Sequence, residues 1–119
     1  MKKNKKVKNV GLSEKEIEVG CLYFTTANQY RAVLAMKGEF LIYAPSSEGI
    51  EALSSTEMPF ENSPFKKCQI VTFAKKDYQD FEFNGAKAIK HKLNESQLAE
   101  AVKQCNAKSA IAELLAEQN

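Results

Sequence analysis

VGCLYFTTANQYRAVLAMKGEFLIYAP, residues 19–45, is the stretch that decides the fold, because it is the densest apolar run in the chain. Apolar side chains recur at every second position in two of its segments, 29–36 and 39–44, and this period is typical of β-strands. Gly38 lies between the two segments and can take the positive φ that a tight hairpin loop requires. We therefore predict an antiparallel hairpin, preceded by a third strand at 17–25.

The register of this hairpin decides which of its side chains are buried. A three-residue loop at 36–38 pairs Leu34 with Phe40 and Ala32 with Ile42, so that even positions meet even positions and form one core face. A two-residue loop would mix even with odd positions and divide the apolar residues between the two faces. The sequence therefore favours the three-residue loop.

The odd positions of the hairpin form a second face that is mixed rather than polar. Arg31 is expected to stand across from Tyr43, with Tyr23 nearby on the preceding strand. An arginine beside aromatic rings can stack on a base or hold an anion, which would make this a binding face. The alternative is a second apolar face that is covered by the sheet itself or by a helix.

Three further strands are predicted at 68–74, 78–83 and 86–91. Asn84-Gly85 favours a two-residue type I′ turn, which pairs Glu82 with Lys87 and, at the far end, Tyr78 with His91. Six strands and a helical end predict an α+β fold. It would be a six-stranded, strongly bent antiparallel sheet or a small barrel resembling the SH3-like kind, followed by a C-terminal helical hairpin.

The predicted organisation is a disordered basic arm at 1–11, a β-body at 12–93 with a long loop at 45–67, and a helical hairpin at 94–119. The loop contains all three prolines and is either a plain covering loop or a lid over a binding site. Net charge is +2, but five of the seventeen basic residues lie in the arm. The other twelve are outnumbered by fifteen acidic residues, so the body is mildly acidic. The arm lysines are Lys2, Lys3, Lys5, Lys6 and Lys8.

The C-terminal segment carries apolar residues at helical spacing. Asn94 and Gln97 fit a capping box, Asn106 is a stop signal, and Ser109 is a second cap. One apolar face of the two helices is a predicted packing or self-association surface, formed by Leu98, Val102, Ile111 and Leu115.

The segment from Leu98 to Leu115 resembles the first two helices of a bacterial helix-turn-helix. That resemblance implies a third, DNA-reading helix, which residues 116–119 do not contain. The alternative is that the two helices cover the body or mediate self-association.

The chemistry-bearing residues give no catalytic or metal-binding pattern. Cys21, Cys68 and Cys105 are widely spaced and odd in number, which favours free thiols and a cytoplasmic location. His91 is the single histidine, so no metal-ligand spacing exists, and no cofactor motif is present. No apolar run approaches the ~20 residues of a membrane-spanning helix.

These observations predict a small non-enzymatic binding module, which acts in protein interaction or self-association and could form a homodimer. The alternative is a nucleic-acid-associated module that uses the lysine arm together with Tyr23, Arg31 and Tyr43. A third hypothesis is a small-molecule site at the mouth of a barrel, covered by the long loop.

Overall fold

The computed structural model describes residues 12–47, 60 and 63–116, and an antiparallel sheet lies at its centre. The strands are β1 (Cys21–Phe24), β2 (Tyr30–Lys37), β3 (Phe40–Ser46), β4 (Lys66–Gln69), β5 (Phe81–Phe83), β6 (Ala86–Ala88) and β7 (Lys90–Lys92). The helices are α1 (Ile70–Lys75), α2 (Glu95–Gln104) and α3 (Lys108–Ala116), and a 3-10 turn covers Glu14–Glu16. Five strands pair in the order β4-β3-β2-β1-β7, while β5 and β6 form a separate hairpin.

The α+β class with an antiparallel sheet is confirmed, but neither the six-stranded bent sheet nor the small closed barrel is. Among the described residues seven strands form two sheets, and the larger sheet stays open, with β4 and β7 as its edges. Helices cover both of its faces, so closure is not needed to hide the second apolar face. Both edge strands carry lysines, Lys66 and Lys67 on one and Lys90 and Lys92 on the other, which discourages pairing with other chains.

The predicted register of the central hairpin is wrong. Lys37 pairs with Phe40, so the loop has two residues rather than three and mixes even with odd positions. A β-bulge between Val33 and Ala35 then restores the alternation, because Leu34 is an extra residue on β2. Ala32 consequently pairs with Ala44, and Phe40 is 38% exposed at the hairpin tip instead of lying in the core.

The predicted strand at 68–74 is also wrong, since only its first two residues are extended and the other five are helical. Strand β4 ends at Gln69, and α1 begins at the next residue. Ile70, Phe73 and Ala74 lie at helical spacing and are all buried, whereas Val71 is exposed. Burial of one helical face thus overrides the β-propensity of these branched and aromatic side chains.

The hairpin across Asn84-Gly85 is confirmed between β5 and β6. Both turn residues have positive φ, and Glu82 pairs with Lys87 as predicted. The expected pairing of Tyr78 with His91 is wrong, because β7 leaves the hairpin and joins β1. His91 therefore pairs with Leu22, and Tyr78 forms an isolated bridge with Thr25.

The core has two halves, one on each face of the sheet. The first half lies under α2 and α3 and includes Leu22, Ala32, Leu34, Ile42 and Leu114. The second half lies under α1 and the 3-10 turn and includes Ile17, Tyr23, Leu41, Phe73 and Tyr78. The central strands are therefore buried on both faces, which accounts for the density of apolar residues in 19–45.

Part of the predicted organisation lies outside the described residues. The lysine arm at 1–11 does, and so do 48–59 and 61–62 of the predicted loop, so its role as cover or lid stays a prediction. At both edges of the predicted loop the chain is still in a strand, because β3 continues to Ser46 and β4 begins at Lys66.

Candidate functional site

An open groove of about 360 Å³ lies between α2 and α3, above the bulge of β2. Its lining is almost entirely apolar, and its two charged residues each begin a helix. The lining residues are Leu34, Glu95, Leu98, Ala99, Val102, Lys108 and Ile111.

The position of α2 beside the groove depends on its defined ends, the first of which is a capping box. Asn94 Oδ1 accepts a hydrogen bond from the Gln97 amide at 2.7 Å, and Gln97 Oε1 accepts one from the Asn94 amide at 3.0 Å. This capping box fixes the start of α2 and confirms the prediction.

The turn after α2 is a Schellman motif. The amide of Asn106 donates to the carbonyl of Lys103 at 3.3 Å, and the amide of Ala107 donates to that of Val102 at 3.0 Å. Asn106 takes a φ of 62°, the left-handed conformation that ends a helix, as its stop signal predicted. Ser109 is not the cap of α3, because that helix already begins at Lys108. The reversed chain sets α3 beside α2, and a groove remains between them.

The floor of the groove is formed by the bulge in β2. Leu34 and Ala35 both belong to the core half under α2 and α3, so the bulge directs two consecutive side chains to the same face. Regular alternation would have sent Leu34 and Ala35 to opposite faces. Leu34 thus lies on the core face that periodicity predicted for it, whereas Ala35 was predicted on the opposite face.

Three of the four predicted interface residues line the groove. Leu98, Val102 and Ile111 are partly buried against the core and also line the groove. Leu115 lies one helical turn after Ile111 on the same face of α3 and is 48% exposed. Glu95 and Lys108 were not predicted, although each lies three residues before an interface residue and so on the same helical face.

The face around Arg31 is covered rather than open, which was the second of its two predicted alternatives. Tyr23 and Tyr43 are buried beneath α1, whose Phe73 packs in the same half of the core. Arg31 pairs with Tyr23 and with Pro45 rather than with Tyr43. The structure therefore agrees with the covered face and not with exposed rings on which a base could stack.

Arg31 nevertheless contacts the aromatic cluster beneath α1. Its guanidinium carbon lies 4.7 Å from the centre of the Tyr43 ring and 5.4 Å from that of Phe73. Its Nη1 donates to the Tyr78 hydroxyl at 3.3 Å, and its Nε donates to Gln29 Oε1 at 2.7 Å. Burial raises the pKa of Tyr23, Tyr43 and Tyr78, so all three stay neutral at ordinary pH. The cluster joins α1 to the sheet.

The thiols and the histidine do not form a reactive centre among the described residues. Cys21 and Cys105 are buried, Cys68 is half-buried, and all three are free. Burial raises the pKa of Cys105 to about 11, which keeps it a thiol rather than a nucleophilic thiolate. His91 packs against the ring of Phe81, with its Nε2 2.8 Å from the carbonyl oxygen of the same residue. No group of three His, Cys, Asp or Glu side chains in the described part could hold a metal ion.

A second, smaller cavity of about 240 Å³ lies at the turn between α2 and α3. It is lined by Ser63, Pro64, Gln104, Cys105 and Asn106. Gln104 is already engaged, since its Oε1 accepts from the Phe60 amide at 2.8 Å and its Nε2 donates to Glu100 at 2.8 Å. Because this cavity is smaller and Gln104 is already engaged, the groove remains the better candidate site.

Comparisons with known proteins give no relative from which a role could be transferred. No protein-family model, no curated protein and no solved structure matches the chain. None of the helices in the described ranges is both long and apolar enough to span a membrane. The resemblance of 98–115 to a helix-turn-helix stays a prediction, and the site has to be interpreted from its own geometry.

Proposed function

We propose that this protein is a non-enzymatic protein-interaction module, whose α2–α3 groove receives the apolar face of an amphipathic helix. The observation that carries the proposal is the lining of the groove, where apolar side chains from two helices and from β2 surround about 360 Å³ of open space. Helix-in-groove recognition uses such a surface, because leucine-sized anchors at helical spacing fill it.

The composition of the lining favours a protein partner over a polar metabolite. Small-molecule sites combine apolar walls with a few inward polar groups that fix the orientation of the ligand. Among the described residues that line the groove, the only polar side chains are those of Glu95 and Lys108, and both are exposed. Burial of one leucine side chain contributes about 1.5–3 kcal/mol, so two or three anchors would give a measurable but reversible complex.

The test is an amide-resolved NMR titration of the full chain with a synthetic helical peptide. The peptide has about 18 residues with leucines at i, i+3, i+4 and i+7, and its control has the same composition with the leucines scrambled. We expect the periodic peptide to shift the amides of Leu34, Leu98, Val102 and Ile111, and the scrambled peptide to shift none of them.

Two matched variants locate the binding. Ala99 and Ala112 are both exposed in helices, but only Ala99 lines the groove. Ala99→Glu should weaken peptide binding at least about fivefold, because the new carboxylate must be desolvated, while Ala112→Glu should leave binding unchanged. The proposal fails if no groove amide shifts at about 1 mM peptide, or if both variants bind alike.

The nucleic-acid alternative now rests on the lysine arm, since the rings of Tyr23 and Tyr43 are buried. Fluorescence polarisation with single-stranded and duplex oligonucleotides at low salt tests it. Binding that weakens steeply with added salt would support it, because lysine contacts to phosphates release counterions. Absence of binding at micromolar protein would remove it.

A further inference from the structure

The groove carries opposite charges at its two ends. Glu95 is the first residue of α2, and Lys108 is the first residue of α3, with three residues between the two helices. The ten residues of α2 span about 15 Å, so the two charges are separated by roughly the length of that helix. Neither side chain forms a hydrogen bond or an ion pair with another described residue. Two exposed, unpaired charges of opposite sign thus border one apolar surface.

Such a surface is complementary to itself when one copy is rotated by two-fold symmetry. An axis through the middle of the groove brings Glu95 of each copy opposite Lys108 of the other, and each apolar stripe onto its counterpart. A partner with charge of one sign would leave one of the two ends unpaired or opposed by a like charge.

We propose that the occupant of the groove is a second copy of this chain, paired about such an axis; this inference rests on the proposed function. The contact surface consists of Leu98, Val102, Ile111 and Leu115, with Glu95 and Lys108 at its ends. Leu115 extends the apolar face of α3 beyond the groove, and pairing would cover its exposed half. The surface is small compared with those of obligate dimers, so the dimer is weak and concentration-dependent.

Charge-reversal variants test the pairing by sedimentation equilibrium at low salt. The wild-type mass should rise with concentration from 13.3 kDa towards twice that value. Glu95→Lys and Lys108→Glu each place like charges together twice in a symmetric dimer, so each alone should associate at least about fivefold more weakly. An equimolar mixture of the two variants restores both opposite-charge pairs and should associate like the wild type.

Matched controls separate this interface from a general effect of charge. Glu113 and Lys103 are exposed on α3 and α2 but do not line the groove. Glu113→Lys and Lys103→Glu should therefore leave the association unchanged. Far-UV circular dichroism checks that every variant is folded, and recovery in the mixture provides the same check independently.

Three results would overturn the proposal. They are a wild type that remains monomeric at about 1 mM, single variants that associate like the wild type, and a mixture no stronger than its components. If the wild type stays monomeric while the periodic peptide still shifts the groove amides, another protein fills the groove, and the proposed function stands without self-pairing. If the wild type stays monomeric and the periodic peptide shifts no groove amide, both proposals fail.

Discussion

Replacement of Tyr78 by phenylalanine would test whether the aromatic cluster under α1 is a structural joint. Tyr78 is buried, and its hydroxyl donates to the carbonyl of Phe73 at 2.6 Å while accepting from Arg31 Nη1 at 3.3 Å. Tyr78→Phe keeps the ring, whose centre lies 5.7 Å from that of Tyr23 and 5.6 Å from that of Phe73. The variant therefore isolates the two hydrogen bonds from the packing.

The expected cost follows from what each former partner retains. The Phe73 carbonyl still accepts from the amide of Lys76 at 3.4 Å, so it is not left wholly without a donor. Arg31 is half-buried and keeps its bond to Gln29, so water compensates for part of its loss. A buried hydrogen bond contributes about 1 kcal/mol, and an unsatisfied partner costs about 1–3 kcal/mol. We expect Tyr78→Phe to lower the free energy of unfolding by about 1–2 kcal/mol.

Urea unfolding followed by circular dichroism measures this difference, and Tyr43→Phe is the matched control. Tyr43 is buried under the same guanidinium, but its hydroxyl forms no hydrogen bond with a described residue. Its loss should change the free energy of unfolding by less than about 0.5 kcal/mol. If the two variants differ by less than that amount, the Tyr78 hydroxyl does not hold α1 to the sheet, and the reasoning is refuted.

Three further measurements address the helix ends and the buried tyrosines. Asn94→Ala removes the N-cap of α2 and should cost about 1 kcal/mol in urea unfolding; an unchanged midpoint would contradict the capping role. Asn106 has a φ of 62°, so Asn106→Gly should preserve stability in thermal unfolding while Asn106→Ala lowers it by about 1 kcal/mol; equal melting temperatures would contradict this assignment. Burial raises the folded-state pKa of Tyr23, Tyr43 and Tyr78 above the unfolded value of about 10, so the stability these neutral tyrosines contribute is complete below that pH and is lost above it. The loss is up to about 1.4 kcal/mol per pH unit for each tyrosine. Urea midpoints should fall over the same pH range in which the absorbance of tyrosinate rises.

Features that depend on neighbouring residues could be predicted from the sequence. The Asn84-Gly85 turn, the capping box of Asn94 and the stop at Asn106 each depend on backbone preferences within a few residues, and the structure confirms all three. The apolar stripe of Leu98 and Val102 likewise follows from helical periodicity, which is why most of the groove lining was found.

Features that depend on contacts between distant segments could not be predicted. The bulge at Leu34 compensates for the register shift that the two-residue loop introduces. This compensation is needed because both faces of the sheet are covered. The residues of α1 have β-propensity, but the buried cluster around Tyr23 favours a helix there. The burial of Tyr43 depends on that same helix, and so the Arg31 face could not be assigned as open or covered from its own residues.

The extra residue in β2 has a consequence for how this protein can diversify. Leu34 supplies the floor of the groove, and as the bulged residue it has no partner in the register with β3. Deleting it would leave Val33 opposite Tyr43 and Ala35 opposite Ile42, so the strands would keep their faces while the groove lost its floor. The depth of the groove can therefore change at this one position without altering the inward and outward pattern of the hairpin.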